Sequence, residues 1–225
     1  MATAWVLPLL DYLGVAVFAV SGGLAASRKQ LDLVAFCFFG VATGVGGGTL
    51  RDILLGALPV FWIIDQTYVV VAVAAAALVF FSAHVFHETW SRYRLLLWAD
   101  AVGLSAYAVM GAAKATEAGA PPVPAVMLGA LTACFGGVIR DILANEPSVL
   151  LRREIYITAA IAGAAVFVGA AEAGAPLALS ALAGGLTAFA IRGGALLHGW
   201  SLPVYRNPPG RPVAETEERR RGPRR

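Results

Sequence analysis

Six charged residues interrupt otherwise apolar runs, and they do so in matching order. Asp11 and Asp100 stand near the start of two runs, Arg51 and Arg140 near the end of two others, and Asp52 and Asp141 directly follow the arginines. A charge close to hydrocarbon costs several kcal/mol unless it is paired or hydrated. Two chemistries suit such residues. Asp11–Arg51 and Asp100–Arg140 are structural ion pairs, or the clusters form two mouths of a pathway that filter or gate ions. The second unusual set is glycine. Gly44, Gly46, Gly47 and Gly48 fall within five residues, and Gly136 and Gly137 form a second cluster. Glycine weakens a helix and lets its backbone open. The freed carbonyls, with hydroxyls such as Thr43, Thr49 and Thr132, would then face a polar pathway. Small residues every fourth position also let two helices pack closely. Gly40, Gly44 and Gly48 have that spacing, whereas Gly46 and Gly47 lie outside it.

Enzyme chemistry has no comparable support. No nucleotide loop, Ser/His/Asp arrangement or cluster of metal ligands is evident, so no cofactor is expected. The Gly-Val-Gly-Gly-Gly segment lacks the lysine of a phosphate-binding loop. Cys37 and Cys134 sit in apolar runs and read as small packing residues.

These residues must be held by membrane helices. Apolar residues make up 59 % of the 225 and charged residues only 14 %, against about 25 % charged in soluble domains. One span needs about 20 residues. Apolar runs cover about 4–26, 33–56, 67–87, 95–115, 123–144, 154–173 and 177–198, giving seven predicted spans. Residues 1–200 then form a single transmembrane domain, and 201–225 form an Arg-rich tail expected to be disordered. The formal net charge is +3, and from Arg206 onward there are seven Arg against three Glu. A basic tail beside a membrane marks the cytoplasmic side rather than a nucleic-acid partner. Arg28 and Lys29, Arg92 and Arg94, and Arg152 and Arg153 all fall in loops on that same side. The N-terminus is therefore expected outside and the C-terminus in the cytoplasm of a multi-pass cell inner membrane protein. Trp62, Trp90, Trp98 and Trp200 lie near span ends, as an interfacial belt would. Lys114 and Arg192, near the ends of spans 4 and 7, are expected to snorkel toward the interface. Lys114 alternatively points into a water-filled vestibule. His84, His87 and His198 are assigned no role.

The chain also repeats itself. Asp11 through Gly22 matches Asp100 through Gly111, and Gly47-Gly48-Thr-Leu-Arg51-Asp52-Ile-Leu54 matches Gly136-Gly137-Val-Ile-Arg140-Asp141-Ile-Leu143. One deletion later, Pro59 aligns with Pro147 and Tyr68 with Tyr156. Repeat one covers about 5–87 and repeat two about 95–173. Three spans per repeat is an odd number, so the second copy must be inverted in the bilayer. The expected fold is an all-α membrane protein of seven transmembrane helices, two inverted three-helix repeats plus a seventh helix at about 177–198.

The two Gly-Gly-x-x-Arg-Asp copies, with Pro59-Val60-Phe61-Trp62 and Pro147, resemble the prokaryotic trimeric intracellular cation channel family over about residues 5–200. The resemblance implies a homotrimer with one pore per subunit, conducting monovalent cations, chiefly K⁺ as permeant ion. The pore would run between the repeats, beside spans 2 and 5 kinked at Gly46, Gly47, Gly48, Gly136 and Gly137. Phe135 replaces the glycine equivalent to Gly46, which implies a smaller bend in span 5. Eukaryotic members link a charged residue on span 4 to gating, and Lys114 is the candidate here. Some bacterial proteins with this domain are described as glycine transporters, so a small-solute carrier using the same midplane site is the alternative. A scaffold whose Gly stripes serve only packing is a third reading. Membrane lipids are the other expected partners.

Overall fold

The computed structural model describes residues 6–82, 91–151 and 154–203. The predicted tail beyond 203, Arg152, Arg153, His84, His87 and Trp90 lie outside the described residues. Helices are α1 (Val6–Arg28), α2 (Leu33–Leu55), α3 (Phe61–Ile64), α4 (Thr67–Ser82), α5 (Arg92–Glu117), α6 (Pro122–Leu143), α7 (Ile157–Glu172) and α8 (Leu177–His198). Five of them, α1, α2, α5, α6 and α8, are long and apolar enough to cross a membrane. The apolar helices α4 and α7 have 16 residues each. The predicted runs at 67–87 and 154–173 are therefore longer than the helices described there. Tyr156 caps α7, and Glu154 makes an isolated bridge to Ser201 instead of continuing the helix. The four-residue α3 was not anticipated, because one turn carries no periodic signal.

Local chemistry accounts for the helix ends. Asp32 accepts the Ala35 N–H at 2.8 Å and caps α2. Gly56 ends α2 at φ 68°, a left-handed conformation that glycine adopts without strain, and its N–H returns to the Asp52 and Ile53 carbonyls.

Two three-helix groups result. α1, α2 and α4 pack together, as do α5, α6 and α7; the groups meet where α1 lies on α5 and α2 on α6, while α8 packs on α5 and α7. Small residues set the close approaches. Gly40 lies over Ala72 and Ala76, and Gly163 over Gly184 and Ala188. In lipid, where the hydrophobic effect gives helices little reason to associate, such backbone proximity supplies the van der Waals attraction. The exterior is correspondingly apolar, with Val34, Phe38, Ile64, Leu78, Phe81, Val123 and Leu197 all more than half exposed. A soluble fold would bury such side chains; this membrane protein presents them outward.

Candidate functional site

The Gly-x-x-Arg-Asp segment makes the same clasp twice. In the first copy, Arg51 donates through Nε and Nη2 to Asp52 Oδ1 at 2.8 and 2.7 Å. The other oxygen, Asp52 Oδ2, accepts the backbone N–H of Phe61 at 2.9 Å. In the second copy, Arg140 donates through Nε and Nη2 to Asp141 Oδ1 at 2.9 and 2.8 Å, and Asp141 Oδ2 accepts the Val149 N–H at 2.8 Å. Each aspartate thus holds an arginine fork with one oxygen and the returning loop with the other. The glycine three residues before each arginine lies under the folded-back guanidinium. A Cβ on Gly48 would stand 2.6 Å from the Phe61 ring and 3.5 Å from Arg51 Nη2; one on Gly137 would stand 2.7 Å from Tyr156 Oη and 3.5 Å from Arg140 Nη2. Charge-assisted fork bonds of this kind are among the stronger ones available to a buried group. Both arginines are 1 % exposed.

Beyond the clasp the copies diverge. Arg140 Nη1 reaches Asp100 Oδ1 and Ser21 Oγ, both at 2.5 Å. The equivalent Arg51 Nη1 is buried without a hydrogen-bond partner. The expected Asp11–Arg51 pair is not made. Asp11 Oδ2 instead takes Lys114 Nζ at 2.5 Å and the Tyr68 hydroxyl at 3.0 Å. Two substitutions between the repeats explain the difference. Lys114 stands where repeat one has Ala25, and Met110 stands where it has Ser21. The snorkelling expectation for Lys114 is corrected with the same fact: its ammonium turns toward Asp11 and lies 5.2 Å from the Phe61 ring centroid. Arg192 does not snorkel either. It is fully buried, donates through Nη1 to the Ile155 carbonyl at 3.1 Å, and lies 3.0 Å from Glu154 through Nη2.

The remaining predicted residues lie on α2 and α6, where these helices cross each other and α1. Both helices are continuous through their glycines. A Cβ on Gly47 would stand 2.0 Å from the Thr132 carbonyl oxygen, and one on Gly136 would stand 2.6 Å from that of Thr43. Gly44 meets the Val15 carbonyl at 3.0 Å and Gly46 the Ile139 side chain at 2.3 Å, by the same measure. Gly44, Gly47 and Gly136 therefore act here as contact points between backbones, whereas Gly46 meets a side chain. Thr49 donates to the Val45 carbonyl and accepts Trp62 Nε1 at 2.9 Å. The Thr132 hydroxyl bonds back to Leu128, and Thr43 Oγ1 is buried without a partner.

Several participants escaped the sequence reading. Ser21 completes the Arg140 cluster. Asp65, just outside α4, accepts the Tyr12 hydroxyl at 2.5 Å and the Thr67 N–H at 2.9 Å, and these donors hold its carboxyl below its usual range. Phe18 and Tyr107 pack between the groups with ring centroids 5.3 Å apart and planes tilted by 33°. Their signal was available, since each stands seven residues after an aligned aspartate.

A family model described as "Glycine transporter" matches residues 8–84 and again 97–172, once in each half. The inner membrane protein YadS of Escherichia coli K12, a UPF0126 protein, is 39 % identical over 201 residues, covering 87 % of this chain and 94 % of YadS. A UPF0126 membrane protein of Vibrio cholerae is 37 % identical over 202 residues, covering 88 % and 82 %. Among solved structures, the trimeric intracellular cation channel orthologue of Rhodobacter sphaeroides superposes with a TM-score of 0.83 at 50 % identity, covering 87 % of this chain and 99 % of that one. A second channel structure, from a study of conductance through these cation channels, gives 0.79 at 33 % identity, with 90 % and 98 % covered. Shared sequence along nearly the whole domain, with the same helical bundle, makes this chain a member of the prokaryotic trimeric intracellular cation channel family.

Proposed function

We propose that the protein is a passive monovalent cation channel permeable to K⁺, with no bound cofactor. In this reading seven spans form two inverted three-helix repeats plus α8, and one pathway per subunit runs along the seam between the repeats, beside α2 and α6. Subunits assemble as a homotrimer in the cell inner membrane, with the N-terminus outside and the C-terminus cytoplasmic. Arg28 and Lys29 pair with Glu146, and Arg92 bonds to the Ser27 carbonyl, so these residues share one end of the bundle. The positive-inside rule makes that end cytoplasmic.

The observation that carries the proposal is the pair of buried charge clusters at the two ends of one seam. The Arg51 cluster balances Asp11 and Asp52 against Arg51 and Lys114. The Arg140 cluster sets two carboxylates, Asp100 and Asp141, against one guanidinium. Neither end therefore presents excess positive charge to an approaching cation. Between them lie backbone carbonyls at the α2–α6 crossing, whose dipoles suit partly dehydrated cations. The packed crossing corresponds to a closed state, and bending at Gly44, Gly46, Gly47, Gly48, Gly136 and Gly137 would open it.

Purified protein in a planar bilayer under asymmetric KCl tests this directly. Discrete current steps reversing toward the K⁺ potential are expected. A silent bilayer combined with saturable glycine uptake into liposomes would replace the channel with a carrier, which the description of the matching family model favours as the second reading.

A further inference from the structure

We propose that the packed rings of Phe18 and Tyr107 are the plug that interrupts the pathway, and that the bond from the Tyr107 hydroxyl to the Gly44 carbonyl is its latch. The inference rests on the channel reading and names the element that would have to move for ions to pass.

Position is the first argument. Phe18 lies two helical turns beyond Asp11 on α1, and Tyr107 two turns beyond Asp100 on α5. Each ring is thus about 10 Å along its helix from the acid of its own mouth. One turn further along α1, Ser21 receives Arg140 Nη1 at the other mouth. Along the helix axes the two rings therefore lie at a level between the two charge clusters.

Bulk is the second. Apart from the three buried arginines, Tyr107 and Phe18 are the largest fully buried side chains among the described residues. Glycines on the facing helix accommodate them. A Cβ on Gly14 would stand 2.5 Å from Tyr107, and one on Gly103 would stand 2.9 Å from Phe18. Two flat rings in glycine seats close a narrow apolar constriction and exclude water, which is sufficient to stop ions.

Coupling is the third. Tyr107 Oη donates to the Gly44 carbonyl at 3.2 Å, on the glycine cluster of α2. Phe18 lies against the Gly136 face of α6, 3.5 Å from where a Cβ would be. Both rings therefore sense movement of the crossing helices. Only the tyrosine has a hydroxyl, so the latch belongs to one half.

The test uses full-length protein in planar bilayers, with a second readout that needs no current. Tyr107→Phe keeps the ring and removes the latch; open probability should rise at least threefold at unchanged unitary conductance. Phe18→Ala should raise unitary conductance or produce a standing leak. In parallel, Thr43→Cys is placed in a Cys37→Ser/Cys134→Ser background, and its reaction with a charged aqueous thiol reagent is timed with and without Phe18→Ala. Thr43 is fully buried beside Gly44, so modification should accelerate at least tenfold when the ring is removed. If Phe18→Ala does not fold, Phe18→Leu replaces it and a smaller acceleration is expected. Folded variants with parental currents and parental thiol rates overturn the plug. Accelerated thiol modification without current in any variant supports the plug while removing the channel reading.

Discussion

Substituting alanine for single glycines of α2 separates close packing from helix bending, because the neighbours of each glycine differ. At Gly47 the new Cβ would lie 2.0 Å from the Thr132 carbonyl oxygen, which belongs to backbone and cannot rotate away. Ordinary contact begins about 3.4 Å from such an atom, so α2 and α6 must separate locally by more than about 1 Å. Overpacking costs about 1–3 kcal/mol, and here both helices lose their mutual contacts. Alanine returns about 1 kcal/mol in helix propensity. A net loss of about 2 kcal/mol follows, or roughly 4–8 °C in Tm for a chain of this size. Gly136→Ala, 2.6 Å from the Thr43 carbonyl oxygen, should behave similarly but less severely. Gly46→Ala meets the tip of Ile139, which can change rotamer, and should stay within about 1 kcal/mol of the parent. Gly169→Ala meets nothing within 4 Å and should be neutral or slightly stabilising. Thermal unfolding in detergent by circular dichroism, checked by size-exclusion retention, reads this ordering. Equal stability of Gly46→Ala and Gly47→Ala would refute it, since stiffening the helix affects both alike, whereas only Gly47 meets α6 through fixed backbone rather than a movable side chain.

Three further outcomes follow from the clusters. Asp52→Asn should cost more stability than Asp141→Asn, about 3 kcal/mol against about 2, because Arg140 keeps Asp100 and Ser21 while Arg51 has no third partner; paired denaturation midpoints check this. Lys114→Met removes one positive charge from the Asp11 end and should raise K⁺ current in dilute salt, with the gain shrinking toward 1 M KCl as charges are screened within about 3 Å. Asp65 binds protons less readily when folded than unfolded, so it stabilises the protein above its usual value of 3.8 and that contribution disappears as pH falls further. Asp65→Asn should lower stability at pH 7, flatten the acid limb of the profile and converge with the parent as pH falls below that value; a parallel profile would show that the Tyr12 and Thr67 contacts contribute nothing.

Much of the bundle was legible because composition and periodicity act locally. The long apolar runs mark α1, α2, α5, α6 and α8 to within a few residues, and the duplicated Arg-Asp pairs mark the clasps. What was not legible depends on residues far apart in the chain. Arg192 reads as a snorkelling residue at a helix end, yet Glu154 and the Ile155 carbonyl, 38 and 37 residues earlier, hold it inside. Asp11 reads as the partner of Arg51 by analogy with Asp100 and Arg140. The analogy fails because Lys114, 103 residues away, reaches the acid first. The glycine cluster carried two meanings at once, and only the position of Thr132 and Thr43 on the facing helices gives it the packing role in this conformation.

The distribution of strong and weak contacts along the seam determines where motion is cheapest. At each end, a buried guanidinium is fixed by two bonds to its neighbouring aspartate, and that aspartate also holds a loop N–H. Removing one partner of such a buried pair costs about 3–5 kcal/mol. At the centre, α2 and α6 touch through glycine faces and carbonyl oxygens, with one neutral hydrogen bond from Tyr107. A neutral bond contributes about 1 kcal/mol net. In the proposed channel, the helix ends would therefore stay clasped while the crossing gave way. In that proposal, a rearrangement confined to the glycines would change the width of the seam without exposing any of the buried charges, because the ion clusters sit at the ends of the same two helices and the glycines at their crossing.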